Sequence, residues 1–142
     1  MDSGICFLFM GIIILATLIF ALISANSRKT KKHLNIEYFR LKYLEAENKL
    51  KANEPTTYQI AILEADKLVD QALKERGFNG ETMGERLKNA TNSKVFSDRN
   101  CIWLAHKLRN QIAHEPDVKV SYKQARGALV CFKKALKDLG AI

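Results

Sequence analysis

From Leu34 to Leu139 the apolar residues recur at spacings of three and four and nowhere alternate at two for any length. That periodicity suits one face of an α-helix and not a half-buried strand, so the expected fold class is all-α, with a small antiparallel helical bundle as its folded part. Ile62, Ala65, Leu68, Val69, Ala72 and Leu73 form one core face opposite Glu64, Lys67, Gln71, Lys74 and Glu75, and Gly77 ends that helix. Glu54-Pro55 breaks the chain before it, and Thr56 to Gln59 reads as a capping box with Thr56 as N-cap. A short amphipathic helix follows over Glu81 to Ala90, anchored by Met83 and Leu87, with Thr91-Asn92-Ser93 as a loop. Ser97 is expected to cap a helix that closes at Glu115-Pro116. Ser121 to Gln124 is a second capping box, opening a helix whose face is Tyr122, Ala125, Leu129, Phe132, Leu136 and Leu139, with Gly140 as its stop.

Gly4 to Ala25 is apolar throughout except for Thr17 and Ser24, long enough at 1.5 Å per residue to cross a hydrocarbon core of roughly 30 Å. A single transmembrane helix is therefore expected; a cleaved signal peptide would need a positive n-region where this chain has Asp2. Arg28, Lys29, Lys31 and Lys32 follow the run, which by the positive-inside rule makes the C-terminal domain cytoplasmic and the localisation a single-pass cell-membrane one. The expected organisation is thus an anchor over 1–27, a basic juxtamembrane helix or stalk over 28–53, and the bundle over 54–142. In the middle segment Ile36, Phe39, Tyr43, Ala46 and Leu50 make one stripe, and Leu34, Tyr38, Leu41 and Leu44 a second. A helix apolar on two sides touches two things, so it either packs on the domain and on a partner chain or the lipid surface, or stands as a simple stalk.

The 142 residues carry a formal net charge of +8, and Arg28 to Lys51 supplies eight Lys/Arg against three Glu. Beside an apolar run such an excess speaks first of anionic lipid and only secondarily of nucleic acid. Cys101 and Cys131 are isolated, with no Cys-x-x-Cys and no His at ligand spacing, so no zinc site and no cofactor is expected. Unpaired cysteines suit a reducing compartment, although two residues far apart in sequence can meet in space.

One stretch is not explained by packing. Leu104, Ala105, Leu108 and Ile112 give the expected buried face of its helix, which leaves Arg109, Asn110 and His114 without a structural role. Arg109 and His114 lie five residues apart and so point roughly 140° apart around a regular helix. Asn110 and His114, at i and i+4, share a side, where Asn110 can orient the imidazole. One chain offers half a site, which a two-fold related copy would complete, so a homodimer is expected. The competing reading is that His114 interacts with the helix C-terminus and Arg109 lies along the surface on its stem. His106 and His33 are read as structural, and Trp103 as a packing residue.

Arg109-Asn110-Gln111-Ile112-Ala113-His114 resembles the Arg-(Asn/His/Asp)-x-x-x-His signature of HEPN domains, helical bundles found in prokaryotic toxins, CRISPR-associated nucleases and eukaryotic RNA-processing enzymes. Glu64 to Leu73 is similar to the first helix of small prokaryotic members, and the resemblance covers Thr56 to Leu139. It implies a metal-independent endoribonuclease that acts as a dimer on RNA. The 2′-OH attacks the adjacent phosphorus and leaves a 2′,3′-cyclic phosphate and a 5′-OH. His114 is then the proton-transfer group, Arg109 the stabiliser of the phosphorane, and Asn110 the residue that orients the site. An antitoxin or another protein partner belongs to the same expectation. The alternative is a membrane-tethered helical interaction module without catalysis.

Overall fold

The computed structural model describes residues 3–26, 33–52 and 54–142, and the side chains among them other than those of 3–8, 22–26 and 52. Its helices are α1 (Ser3–Asn26), α2 (Ile36–Asn48), α3 (Pro55–Glu75), α4 (Met83–Asn92), α5 (Arg99–His114) and α6 (Tyr122–Asp138), with a 3₁₀ turn at Lys49–Ala52. The all-α class holds. The chain divides into two units, one containing α1 and the other everything from α2 onward.

The expected transmembrane anchor is corrected: among the described residues, no helix is long and apolar enough to cross a membrane. The single-pass part of the fold class and the cell-membrane localisation fall with it. The basic residues Arg28, Lys29, Lys31 and Lys32, on which the cytoplasmic orientation rests, lie outside the described residues. Within α1 the Thr17 hydroxyl donates to the Ile14 carbonyl at 2.8 Å, so that hydroxyl is satisfied by its own helix.

The second unit is built around α3, which packs against α2, α4, α5 and α6. Pro55 occupies its first turn, where the missing N–H is no loss. The expected capping box at Thr56 is corrected, since the N-cap is Glu54 and no side chain caps it. Gln59 instead donates to the Val118 carbonyl at 2.6 Å, tying the start of α3 to the loop before α6. Gly77, at φ 83°, ends α3 as expected, and Phe78 N–H closes back on the Leu73 carbonyl at 3.0 Å. The Ser121–Gln124 capping box forms as read, and Gly140 stops α6 at φ 64°. Ala61, Ile62, Ala65, Val69, Ala72 and Leu73 of α3 are fully buried together with Phe132 and Leu136 of α6.

Of the two stripes on α2, the first is the buried one: Phe39, Tyr43, Ala46 and Leu50 enter the core, while Ile36 stays exposed. From the second, Leu34 is buried and Tyr38, Leu41 and Leu44 remain exposed. The helix read as a stalk thus lies in the same compact unit as the bundle. Burial raises the Tyr43 phenol well above its usual value, and its hydroxyl donates to the Leu129 carbonyl at 3.0 Å, which fixes α2 to α6.

Two further ties cross the bundle. Cys101 and Cys131, read as unpaired, are joined by a disulfide between α5 and α6 with their Cα atoms 5.2 Å apart, inside the range such a bond spans. Between α3 and α4, Arg86 Nε lies 2.7 Å from Asp70 Oδ1, and its Nη1 donates to the Gly80 carbonyl. Lys74 meets the other Asp70 oxygen at 2.7 Å. Burial alone would raise the Asp70 carboxyl, but the hydrogen bonds from Arg86 and Lys74 outweigh it and hold the group below its usual value. A Cβ on Gly80 would lie 2.8 Å from the Arg86 backbone nitrogen, so the turn needs a glycine there.

Two outcomes follow. Replacing both Cys101 and Cys131 by Ser releases a crosslink across 30 residues, and denaturant titration should read a loss of roughly 3–4 kcal/mol. A loss under 1 kcal/mol, within the spread of surface changes, would show that the bond does not constrain the unfolded chain. Arg86→Met leaves the Asp70 carboxylate without its main partner and should destabilise the protein by about 2–4 kcal/mol near neutral pH. Because the folded Asp70 value is lowered, its contribution is present above the unfolded carboxylate value and disappears as pH falls through the folded one. The gap between parent and variant should therefore narrow in acid, and a gap that widened there would contradict the pairing.

Candidate functional site

The helix that carries the polar motif is held at its N-terminal end. Asp98, one residue later than the expected cap Ser97, is the N-cap of α5 and accepts from Cys101 N–H at 3.0 Å. That hydrogen bond, reinforced by the Lys134 ammonium, holds the Asp98 carboxyl below its usual value. Ser97 is taken by the other end of the bundle, where its N–H and hydroxyl both donate to Asp138 Oδ2, at 2.9 and 2.8 Å.

The buried face of α5 differs from the expected one. Ile102, Ala105 and His106 are buried and Leu108 and Ile112 half-buried, but Leu104 is 67% exposed. Leu104 lies about 200° around the helix from Ile102, which turns it away from the core. His106, assigned no role beyond structure, is 6% exposed.

His106 meets a carboxylate from α3. Its Nδ1 lies 2.8 Å from Asp66 Oδ1, and Asp66 is itself 2% exposed. Arg109, one turn further along, places Nε 3.1 Å from Asp66 Oδ2. The Nε–H does not align with that oxygen and has no other hydrogen-bond partner, so the contact is an attraction of charges, not a directed bond. Arg109 Nη1 donates to Asn110 Oδ1 at 3.0 Å, and Asn110 Nδ2 lies 3.3 Å from His106 Nε2. Asp66, His106, Asn110 and Arg109 thus close a ring.

The chemistry of the members sets its direction. Arg109 can only donate, so Asn110 turns its carbonyl to the guanidinium and its amide to His106. The imidazole then accepts at Nε2 and donates from Nδ1 to Asp66. Every contact is donor to acceptor in one sense, Arg109 to Asn110 to His106 to Asp66, with the guanidinium charge beside the carboxylate.

Of the three residues expected to form the site, Arg109 and Asn110 are brought together and His114 is not. Asn110 orients His106, four residues before it, where the expected partner was His114, four residues after. His114 is the last residue of α5, exposed, and makes no side-chain hydrogen bond among the described residues. Arg109 keeps 35% of its side chain exposed, so the guanidinium is anchored on one side and open on the other. No family model, curated protein or solved structure matches the chain.

Asp66 was missed, and a signal for it exists. It falls between Ile62 and Val69 at helical spacing, in the middle of the α3 core face, where a lone carboxylate requires a buried donor. Among the described residues no three His, Cys, Asp or Glu side chains are grouped as a metal site.

Asp66→Ala leaves His106 Nδ1 and the Arg109 charge without their common acceptor. Urea titration should read a loss of about 2–4 kcal/mol, toward the low end because Arg109 is partly solvated. A loss below 1 kcal/mol, no more than an ordinary surface substitution, would show that the ring does not hold α5 against α3.

Proposed function

We propose that the bundle from Pro55 onward is a HEPN-like, metal-independent endoribonuclease that acts as a homodimer. The observation that carries the reading is the state of Arg109, held by Asp66 and Asn110 yet open over a third of its side chain. A guanidinium positioned before the substrate arrives can stabilise charge on a phosphorane without reorganising. In the step itself the RNA 2′-OH loses its proton and its oxygen bonds to phosphorus. The bond to the 5′-oxygen breaks, and that oxygen takes up a proton, leaving a 2′,3′-cyclic phosphate and a 5′-OH. His114, exposed at the end of α5, is the proton-transfer group. Asn110 serves as a positioning residue for Arg109 in this scheme, because its carbonyl is already engaged there. Since Arg109 and His114 diverge around α5 by roughly 140°, the cleft needs a second copy to supply the partner group.

A second reading rests on the closure of the ring. Four polar residues that satisfy one another also make a structural pin, in which case α5 presents an interaction surface to a protein partner and performs no chemistry.

The full chain, incubated with single-stranded RNA in EDTA, should release products ending in a 2′,3′-cyclic phosphate, and should leave the 2′-deoxy polymer intact. His114→Ala should lower the rate at least roughly 100-fold, the usual share of a general acid–base, with unchanged thermal stability. Equal cleavage by parent and variant removes the nuclease reading; no cleavage by either, with the protein folded, favours the interaction module.

A further inference from the structure

Along the outer side of α5 runs a groove of ≈ 550 Å³ lined by Asn100, Trp103, Leu104, His106, Lys107 and Asn110. Its apolar members are large and open to solvent, Trp103 at 36% and Leu104 at 67%. Its polar members are two primary amides, one imidazole edge and one ammonium, and no acidic side chain lines it. We propose that this groove is a nucleobase subsite, in which one base of a single-stranded RNA stacks on the Trp103 indole while Asn100 meets its edge and Lys107 the adjoining phosphate. The identity of the polymer rests on the ribonuclease reading above; the groove's chemistry does not.

Three features point to this occupant. The first is rigidity: the Trp103 ring packs edge-on against His106, with centroids 6.2 Å apart and planes at 72°, and His106 is clamped by Asp66 and Asn110. A flat ring backed by a fixed one is a platform that loses little freedom when a base lands on it. The second is charge. Lys107 has no ion-pair partner among the described residues, and with no acidic side chain in its lining the groove complements a phosphodiester. The third is alignment. Lys107 and His114 are seven residues apart, which places them within about 20° on the helix and about 10 Å along it. A strand laid along this face passes from the groove to the proposed proton-transfer group. Stacking requires an unpaired base face, so the subsite takes single strands and rejects duplex.

Trp103 is the only tryptophan of the chain, so its emission reports this groove alone. In the full chain carrying His114→Ala, titration with a decamer of uridylate or adenylate should quench that emission saturably. Inorganic polyphosphate and a blunt RNA duplex of equal charge should not. Followed by anisotropy of a labelled decamer, Trp103→Ala should weaken binding roughly ten- to hundred-fold, the loss of one base–aromatic stack, whereas Trp103→Phe should restore most of it. Lys107→Ala should reduce the slope of log affinity against log salt by about one contact.

Binding by Trp103→Ala equal to that of the parent, or emission unmoved by the decamer, overturns the proposal. So does emission that changes only with protein concentration, which would assign the face to a second copy. Quenching by a chain that never cleaves RNA upholds the subsite and removes the nuclease; cleavage indifferent to Trp103 removes the subsite alone.

Discussion

A carboxylate buried at the middle of a helix face constrains this bundle more than any apolar contact in it. Asp66 sits among Ile62, Ala65 and Val69 on the core side of α3 and is almost without solvent. An unpaired charge at such a position would cost several kcal/mol, so whatever packs against α3 there must bring donors. Helix α5 does so through His106 and Arg109. Meeting one carboxylate with both residues sets the rotation of α5 about its own axis, and hydrophobic contact alone would specify that rotation far less sharply. With that rotation set, Trp103, Lys107 and His114 turn outward. The same interaction therefore anchors the fold inside and composes the surface outside.

The rest of the framework keeps α5 from adjusting. A disulfide joins it to α6, and its N-terminus is held by Asp98 and Lys134. α6 is in turn tied to α2 through Tyr43 and to the end of α3 through Arg76, whose Nε donates to the Leu139 carbonyl at 2.6 Å. Each tie is a polar or covalent bond between elements far apart in sequence, laid over a core of Ala, Leu, Ile and Phe that would tolerate sliding. Arg109 gains from this rigidity. Its guanidinium is presented at a fixed place, which is what the role proposed for it at a phosphorane would require.

Local features were legible from residue order. Helix periodicity, the stops at Gly77 and Gly140 and the Ser121–Gln124 capping box depend on residues within four positions of one another, where geometry is nearly independent of context. The misreadings occurred where a distant group competed. Thr56 lost its capping role because Pro55 starts α3 and Gln59 is drawn to Val118. Ser97 lost its own to Asp138, and the neighbouring Asp98 took over. Asn110 had two histidines at equal helical distance, one before and one after, and spacing cannot choose between them. The buried Asp66 chose His106.

Sequence alone thus determined that the chain is helical, where most of its helices begin and end, and that Arg109, Asn110 and His114 stand off the apolar stripe of their helix. Tertiary structure decided the rest. It separated His114 from the other two, set His106 and Asp66 beside them, joined Cys101 to Cys131, and exposed Leu104. The reason is that backbone hydrogen bonding and helical phase are properties of neighbouring residues, whereas a helix's rotation in a bundle is set by the strongest contact that another helix offers it. Here that contact is a single carboxylate, 40 residues away from His106.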